Sequence, residues 1–168
     1  TIDEVLRRRP DTVVVATGAN ASRPWWAPGD AAWIVDVRDV LTGAAHPEGN
    51  VLVLDELGFH HATSVAEVLA DRGGDVEVIS PGMVVGQDLG ITLDLENWWI
   101  RAEAKGIVQS TELVPMGVDV GSDGSHVVNL QHHPTGTMQT RTPDWMVLAV
   151  PADPADGLFY ELKGSSEL

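Results

Sequence analysis

The residues best suited to chemistry in this sequence gather in the stretch Asp55–His61, which reads DELGFHH and follows an apolar run. Residues 51–80 have the pattern of a strand, a loop, a helix and a second strand, the order of a dinucleotide-binding unit. The turn of such a unit carries three glycines, because the backbone must turn tightly and approach the pyrophosphate at the start of the helix. Here Gly58 is the loop's only glycine, and Asp55 and Glu56 place two negative charges where the pyrophosphate would lie. The sequence predicts a dinucleotide-binding shape with a degenerate phosphate-binding turn.

The end of the second strand supports the same interpretation. A site for NAD places an acidic residue there, on the ribose hydroxyls, and a site for NADP places an arginine nearby, whereas this strand ends at Ser80. The loop after the first strand is also about two residues longer than the usual turn. We therefore predict that this unit does not bind NAD or NADP. A working NAD(P)H site with an altered loop is the alternative, and the loop is the feature that separates the two.

Other constellations of reactive residues are weaker. The pairs His60-His61 and His132-His133 could offer imidazoles to a metal ion, with the loop carboxylates as further ligands. However, adjacent histidines point in different directions on a strand, and no two have the four-residue spacing of a helical metal motif. None of the serines lies in the G-x-S-x-G turn of a nucleophilic serine. We predict exposed loop histidines, no metal site and no catalytic residue, so whether the chain is itself an enzyme stays open.

The charge of the chain narrows its partners. Among 168 residues, 25 acidic against 10 basic side chains give a formal net charge of −15. Such a charge repels phosphate backbones and anionic lipid surfaces, so we predict neither nucleic acid nor a membrane as a partner. No apolar stretch approaches the ~20 residues of a membrane span.

The absence of cysteine sets the chemical environment. Without cysteine this chain can form no disulfide, thiolate-metal site or iron-sulfur ligation, and a cytoplasmic location is the default expectation. The N-terminal residues TIDEVLRRRPDT contain neither an apolar signal core nor an initiating methionine. We expect a piece of a longer chain, or a processed one.

The elements that must position the loop alternate between helix and strand. Consecutive β-branched residues over 12–19 predict a strand buried on both faces, and 51–55 predict another. Residues 107–141 read as short alternating strands joined by tight turns, which is typical of an antiparallel meander. We predict a three-layer, Rossmann-like α/β fold with a meander over 113–141 to one side of a parallel sheet. The predicted helices cover residues 2–9, 36–44, 62–72 and 95–106 and a short stretch near the end; the predicted sheet strands are Val13–Ala16, Val51–Leu54, Val76–Ile79 and Met146–Val150.

Two tryptophan pairs stand out in a chain with one tyrosine and two phenylalanines. They are Trp25-Trp26 and Trp98-Trp99. In one interpretation, one member of each pair packs in the core and the other covers a neighbouring domain. Simple core packing is the alternative.

The order of these elements, together with Pro10-Asp11 before an apolar strand and Ala16-Thr17-Gly18 at its end, resembles a known family. It is similar to the C-terminal, nucleotide-binding-like region of the trimethylamine, dimethylamine and histamine dehydrogenases, relatives of 2,4-dienoyl-CoA reductase. Enzymes of that family join a flavin-bearing (β/α)₈ barrel, with FMN and a 4Fe-4S cluster, to two glutathione-reductase-like domains. The resemblance covers nearly the whole chain, and strand periodicity alone does not identify it.

The resemblance carries further expectations. It implies that residues 1–45 are the end of a first, FAD-like nucleotide-binding domain with a connector, and that residues 46–168 are a second, NAD(P)-binding-like domain. The weak candidates for cofactor binding are Thr17 and Gly18, by resemblance, and Gly58, by its place in the loop. FMN and the cluster would sit elsewhere in a parent enzyme, and this chain would hold no cofactor. The implied partners are the remaining domains and an electron-transfer protein.

Three functions therefore stay open. The first is a catalytically silent domain of an amine-dehydrogenase-like oxidoreductase, and the Asp55–His61 loop favours it. The second is a working NAD(P)H-binding domain of a reductase. The third is a stand-alone binding module without a redox role.

Overall fold

The computed structural model describes residues 1–164, which form two compact units. One unit contains residues 1–22 and 152–164, and the other contains residues 23–151. The predicted domain boundary after residue 45 does not coincide with either limit, since residues 23–45 lie in the larger unit. Assigning the first stretch to a preceding nucleotide-binding domain stays a prediction.

The elements within residues 1–164 are α1 (Ile2–Arg8), β1 (Ala19–Asn20), β2 (Ile34–Asp36), α2 (Val37–Thr42), β3 (Asn50–Asp55), α3 (His60–Asp71), β4 (Asp75–Ile79), a 3₁₀ helix (Gln87–Gly90), α4 (Leu95–Ala104), β5 (Val108–Ser110), β6 (Leu113–Val120), β7 (His126–His132), β8 (Thr137–Arg141), β9 (Trp145–Ala149), β10 (Asp153–Pro154) and α5 (Gly157–Gly164).

The larger unit has three layers. A parallel sheet in the order β2-β9-β3-β4-β5 lies in the middle, and helices α2, α3 and α4 pack on one face of it. The antiparallel sheet β6-β7-β8 packs on the other face. The predicted α/β fold with an antiparallel meander over residues 113–141 is therefore confirmed, and the meander supplies the third layer.

Side-chain alternation along β3 assigns its residues to the two sides of the sheet. Val51 and Val53 belong to the core on the helix side, while Leu52 and Leu54 belong to the core on the meander side. Because successive side chains of a strand point to opposite faces, Asp55 comes to the helix side. Helix α3 contributes buried residues at helical spacing to the same core, namely Ala62, Val65, Ala66 and Leu69.

Residues 12–18 correct the predicted strand over 12–19. They have no regular structure, and Val14 is 85% exposed instead of buried. Only Ala19 and Asn20 pair, antiparallel, with Asp153 and Pro154. β-branched residues form a strand only where a neighbouring strand accepts its hydrogen bonds, and no strand within residues 1–164 pairs with 12–18. The prediction that Val13–Ala16 share the parallel sheet is wrong.

Two strands of the parallel sheet differ from the expected set. β2 is only three residues long and follows a proline-rich stretch, so its periodic signal is too short to read. Residues 108–110, which the sequence analysis places with the meander, form β5 and pair parallel with β4. The strands predicted over 51–54, 76–79 and 146–150 do share this sheet, although β9 ends at Ala149. In the part of the chain that the structure describes, no helix combines the length and apolar character needed to cross a membrane.

Candidate functional site

The loop singled out in the sequence lies at the carboxyl end of β3. β3 pairs with β4 on one side and with β9 on the other. The strand order therefore changes direction at β3. In open α/β sheets, ligands bind in the crevice at the carboxyl edge next to such a change in strand order. The Asp55–His61 loop is thus located where a nucleotide would be sought.

The Asp55 carboxylate is turned into its own loop. Asp55 is 1% exposed, and its two oxygens accept hydrogen bonds from the backbone N–H groups of Gly58 and Gly86, each at 2.8 Å. Burial raises the pKa of Asp55, and the backbone hydrogen bonds from Gly86, Gly58 and Leu57 oppose that rise. Backbone N–H groups at such a turn are the groups that hold phosphate in nucleotide-binding members of this fold class. Here the Asp55 side chain binds one N–H group of this turn, that of Gly58, and one N–H group of the loop after β4, that of Gly86.

A second loop is hydrogen-bonded to the first. Residues 80–90 follow β4, and the Asp88 N–H donates to the Gly58 carbonyl at 2.7 Å. Gly58 and Gly86 both adopt the left-handed conformation, with φ of 64° and 67°. We call this arrangement the Asp55 clasp: the carboxylate of Asp55, the backbone of Gly58 and Gly86, and the Gly58–Asp88 hydrogen bond.

Sequence reasoning missed the half of the clasp that Gly86 and Asp88 supply. The available signal was the spacing of Gly82, Gly86 and Gly90 in the loop after β4. Regular glycines in a loop next to a phosphate-binding turn indicate a backbone that approaches another closely.

The cavity left at this edge of the sheet is small and acidic. Its volume is about 200 Å³, and its lining residues include Asp55, Glu56 and Asp88 but no lysine or arginine. Ligand pockets usually measure ~300–1,000 Å³. Partial desolvation raises the pKa of the exposed Glu56. The residues present therefore do not fit a dinucleotide.

Ser80, at the end of β4, has a structural role. It is 4% exposed, and its hydroxyl accepts a hydrogen bond from the Gly82 N–H at 3.1 Å. Its backbone pairs with Ser110 and Leu113, which joins the parallel sheet to the start of the meander. No carboxylate or arginine stands in its place to meet a ribose or a 2′-phosphate.

Thr17 and Gly18 lie in the smaller unit, and Gly58 in the larger one. The Thr17 hydroxyl donates to the Ala155 carbonyl, and the Gly18 carbonyl accepts from the Ala155 N–H at 2.9 Å. Both residues line a cavity of about 240 Å³ that also includes Phe159. Their polar groups thus hold the chain around residue 155, and their assignment to cofactor binding stays a prediction.

The histidine pairs are distributed over separate elements. His60 and His61 open α3, while the His132 ring hydrogen-bonds the Thr135 hydroxyl at 2.7 Å and the His133 ring contacts the Pro81 carbonyl at 3.1 Å. Within residues 1–164, no three histidine, aspartate or glutamate side chains form a group able to hold a metal ion.

The tryptophan pairs divide as the first interpretation expects. Trp26 and Trp98 are buried, at 7% and 0% exposed, whereas Trp25 and Trp99 are 81% and 43% exposed. Whether the exposed members contact another domain is a separate question.

A helix layer, a parallel sheet and an antiparallel sheet define the class: this is a fold of the flavoprotein and NAD(P)-binding type. No protein-family model matches the sequence. The chain is 29% identical over 164 residues to the N,N-dimethylglycine/sarcosine dehydrogenase of Chromohalobacter salexigens, covering 94% of this chain and 23% of that protein. It is 29% identical over 161 residues to a probable N-methylproline demethylase of Rhizobium meliloti, covering 96% of this chain and 23% of that protein.

A solved structure shows the same fold over nearly the whole chain. The histamine dehydrogenase of Rhizobium sp. 4-9 superposes with a TM-score of 0.83 at 18% identity, covering 97% of this chain and 24% of that one. The predicted resemblance to the amine dehydrogenase and reductase family is confirmed, and the relatives are oxidoreductases. The chain spans less than a quarter of the length of the curated relatives it matches.

Proposed function

We propose that this chain is the C-terminal, nucleotide-binding-like part of a longer flavin-dependent oxidoreductase of the amine dehydrogenase type. In this proposal the part binds neither NADH nor NADPH and contributes no catalytic residue. The observation that carries it is the Asp55 carboxylate, which accepts hydrogen bonds from the Gly58 N–H of the turn and from the Gly86 N–H of the loop after β4. The relatives' oxidoreductase names support the wider assignment.

Electrostatics at the turn argue against the nicotinamide alternative. An exposed helix N-terminus favours an anion by only about 0.3–1 kcal/mol. The carboxylates of Asp55 and Glu56, within ~6 Å of a bound pyrophosphate, oppose it by about 1 kcal/mol or more per charge pair near a surface. No lysine or arginine lines the cavity to offset them. The repulsion exceeds the attraction, and the reductase alternative has no local support.

The flavin and the iron-sulfur cluster belong to other parts of the proposed parent enzyme. Cluster ligation needs cysteine thiolates, and this chain has none. FMN, when bound in such an enzyme, supplies the redox chemistry. We assign no residue of this chain to either group, and Thr17, Gly18 and Gly58 remain the only candidates for contact with a nucleotide.

The partner that the smaller unit needs is a β-strand. Residues 12–16 carry Val13, Val14 and Val15 and pair with no strand of residues 1–164, and Val14 is 85% exposed. Extended, β-branched chain with open backbone groups is what a neighbouring strand pairs with. We propose that the preceding domains of the parent enzyme supply this strand. We further propose that an electron-transfer protein accepts electrons from the parent enzyme and that the enzyme is cytoplasmic.

Titration calorimetry with NADH and NADPH at low salt tests the silent-domain proposal. We expect no measurable heat of binding to the folded chain, whose fold is checked by circular dichroism. A dissociation constant below about 100 μM, or roughly −5.5 kcal/mol, contradicts the proposal and supports the reductase alternative.

Hydrogen exchange tests the proposed partner. We expect the amides of residues 13–16 to exchange rapidly in this chain alone and to be protected in the full-length enzyme, because a neighbouring strand would then hydrogen-bond them. The amides of β3 serve as an internal control that is protected in both. Equal rapid exchange of residues 13–16 in both proteins rules out the proposed pairing.

A further inference from the structure

We propose that Asp55 is a built-in ligand of this domain: its carboxylate occupies an oxyanion site formed by the backbone of two loops and keeps those loops closed without a nucleotide. The inference rests on the proposed absence of NAD(P) from the turn. It adds that an oxyanion site is formed and is filled by a side chain of the domain itself.

The geometry of the donors supports this assignment. The Gly58 N–H reaches one carboxylate oxygen and the Gly86 N–H reaches the other, and the two donors come from different loops. Backbone N–H groups arranged around a concavity bind carboxylate and phosphate oxygens in the same way. The site therefore has the chemistry of a small oxyanion site, independent of which oxyanion fills it.

The second loop depends on the same contact. Beyond the Gly86 N–H, it is tied to the first loop by the Asp88 N–H, which donates to the Gly58 carbonyl. Buried surroundings strengthen the arrangement, because Asp55 is 1% exposed and Leu89, which follows Asp88, is fully buried. Deleting the carboxylate leaves the buried Gly86 N–H and the partly buried Gly58 N–H without their acceptor, which destabilises the contact between the loops.

Chemical rescue of Asp55→Ala by formate tests the proposal. Formate has the size and charge of the lost carboxylate, so it should bind in the vacated site. We expect the variant to unfold at lower urea concentration than the wild type and to regain stability with formate in a saturable way. At a formate concentration about nine times its dissociation constant, the folding equilibrium constant should rise about tenfold.

Matched controls separate specific binding from salt effects. Sodium chloride at equal ionic strength should not reproduce the rescue. Asp88→Ala removes the carboxyl group of a residue that lines the same cavity but leaves the two donors occupied by Asp55, so formate should not stabilise this variant. Equal effects of formate and chloride on Asp55→Ala, or rescue of Asp88→Ala, overturn the proposal.

A measurement on the wild-type chain tests the proposal if Asp55→Ala fails to fold. By NMR, the amide protons of Gly58 and Gly86 should titrate with the same midpoint as the Asp55 carboxyl carbon. Independent midpoints overturn the proposal. Nucleotide binding by the wild type instead contradicts the proposed function, so the two failures are distinguishable.

Discussion

Gly86→Ala is expected to destabilise the larger unit strongly, because it strains the backbone and overfills the core at one position. Gly86 has φ of 67°, and a left-handed conformation costs an alanine about 1–2 kcal/mol. An added Cβ would lie 2.9 Å from Leu89 Cδ1 and 3.0 Å from Thr63 Cγ2. Leu89 and Thr63 are 0% and 2% exposed, so neither side chain has free space to move into.

Overpacking a core usually costs about 1–3 kcal/mol. Combined with the backbone strain, we expect Gly86→Ala to lower the free energy of unfolding by roughly 2–5 kcal/mol. The assay is urea unfolding followed by tryptophan fluorescence, with Trp98 in the core as a reporter.

Two glycines nearby provide matched controls. Gly58 has φ of 64°, but the nearest atoms to an added Cβ are Asp88 atoms at 3.7 Å. Gly58→Ala should therefore lower the free energy of unfolding only by the cost of the backbone strain, about 1–2 kcal/mol. A Cβ added at Gly90, in the 3₁₀ helix, would have no atom within 4 Å. Gly90→Ala should therefore change the free energy of unfolding by no more than about 0.5 kcal/mol. If Gly86→Ala is no more destabilising than Gly58→Ala, the two loops are not packed as described.

Four further outcomes follow from the structure. The folded-state pKa of Asp55 lies above its ordinary value of 3.8, so the proton-linked part of its effect on stability is fully present below pH 3.8 and is lost as pH rises through the folded-state pKa; a carboxyl titration by carbon-13 NMR with a midpoint at or below 3.8 refutes this sign. Arg141→Met removes the 2.7 Å ion pair with Glu77 that joins β8 to β4 and should cost about 1–3 kcal/mol in urea unfolding, and no loss would mean that the pair does not hold the meander. Trp26→Ala should cost about 3–5 kcal/mol and Trp25→Ala less than about 0.5 kcal/mol, and equal losses would contradict their assigned burial. The purified chain should be colourless, with no flavin absorbance and no iron by elemental analysis, whereas a yellow or brown preparation would refute the assignment of both cofactors to other domains.

Local sequence signals predicted the elements that form their own contacts. Asp36 caps α2 by accepting a hydrogen bond from the Arg38 N–H at 2.8 Å, and Gly43 ends that helix in the left-handed conformation. The apolar run of β3 placed Asp55 at the carboxyl edge of the sheet, where the site was expected. Such features depend on residues a few positions apart, so the sequence contains what is needed to read them.

Long-range partners explain what the sequence did not reveal. The β-branched run at Val13–Ala16 has strand propensity, but pairing requires a neighbour, and none pairs with it within residues 1–164. The hydrogen bond from Gly86 to Asp55 joins positions 31 residues apart, which no local pattern encodes. For that reason the loop carboxylates were predicted to repel a pyrophosphate, but Asp55 was not predicted to take its place.

We propose that the Asp55 carboxylate, and no nucleotide, occupies the backbone N–H groups of Gly58 and Gly86. The most direct measurement is an amide NMR titration of the nitrogen-15-labelled chain with NADH and with NADPH at low salt, observed at Gly58 and Gly86. We predict that these two amide signals do not shift as the concentration of either nucleotide is raised well beyond that of the protein, because the Asp55 carboxylate already accepts hydrogen bonds from both N–H groups. Saturable shifts at both glycines would contradict it and would identify the turn as a working nucleotide site.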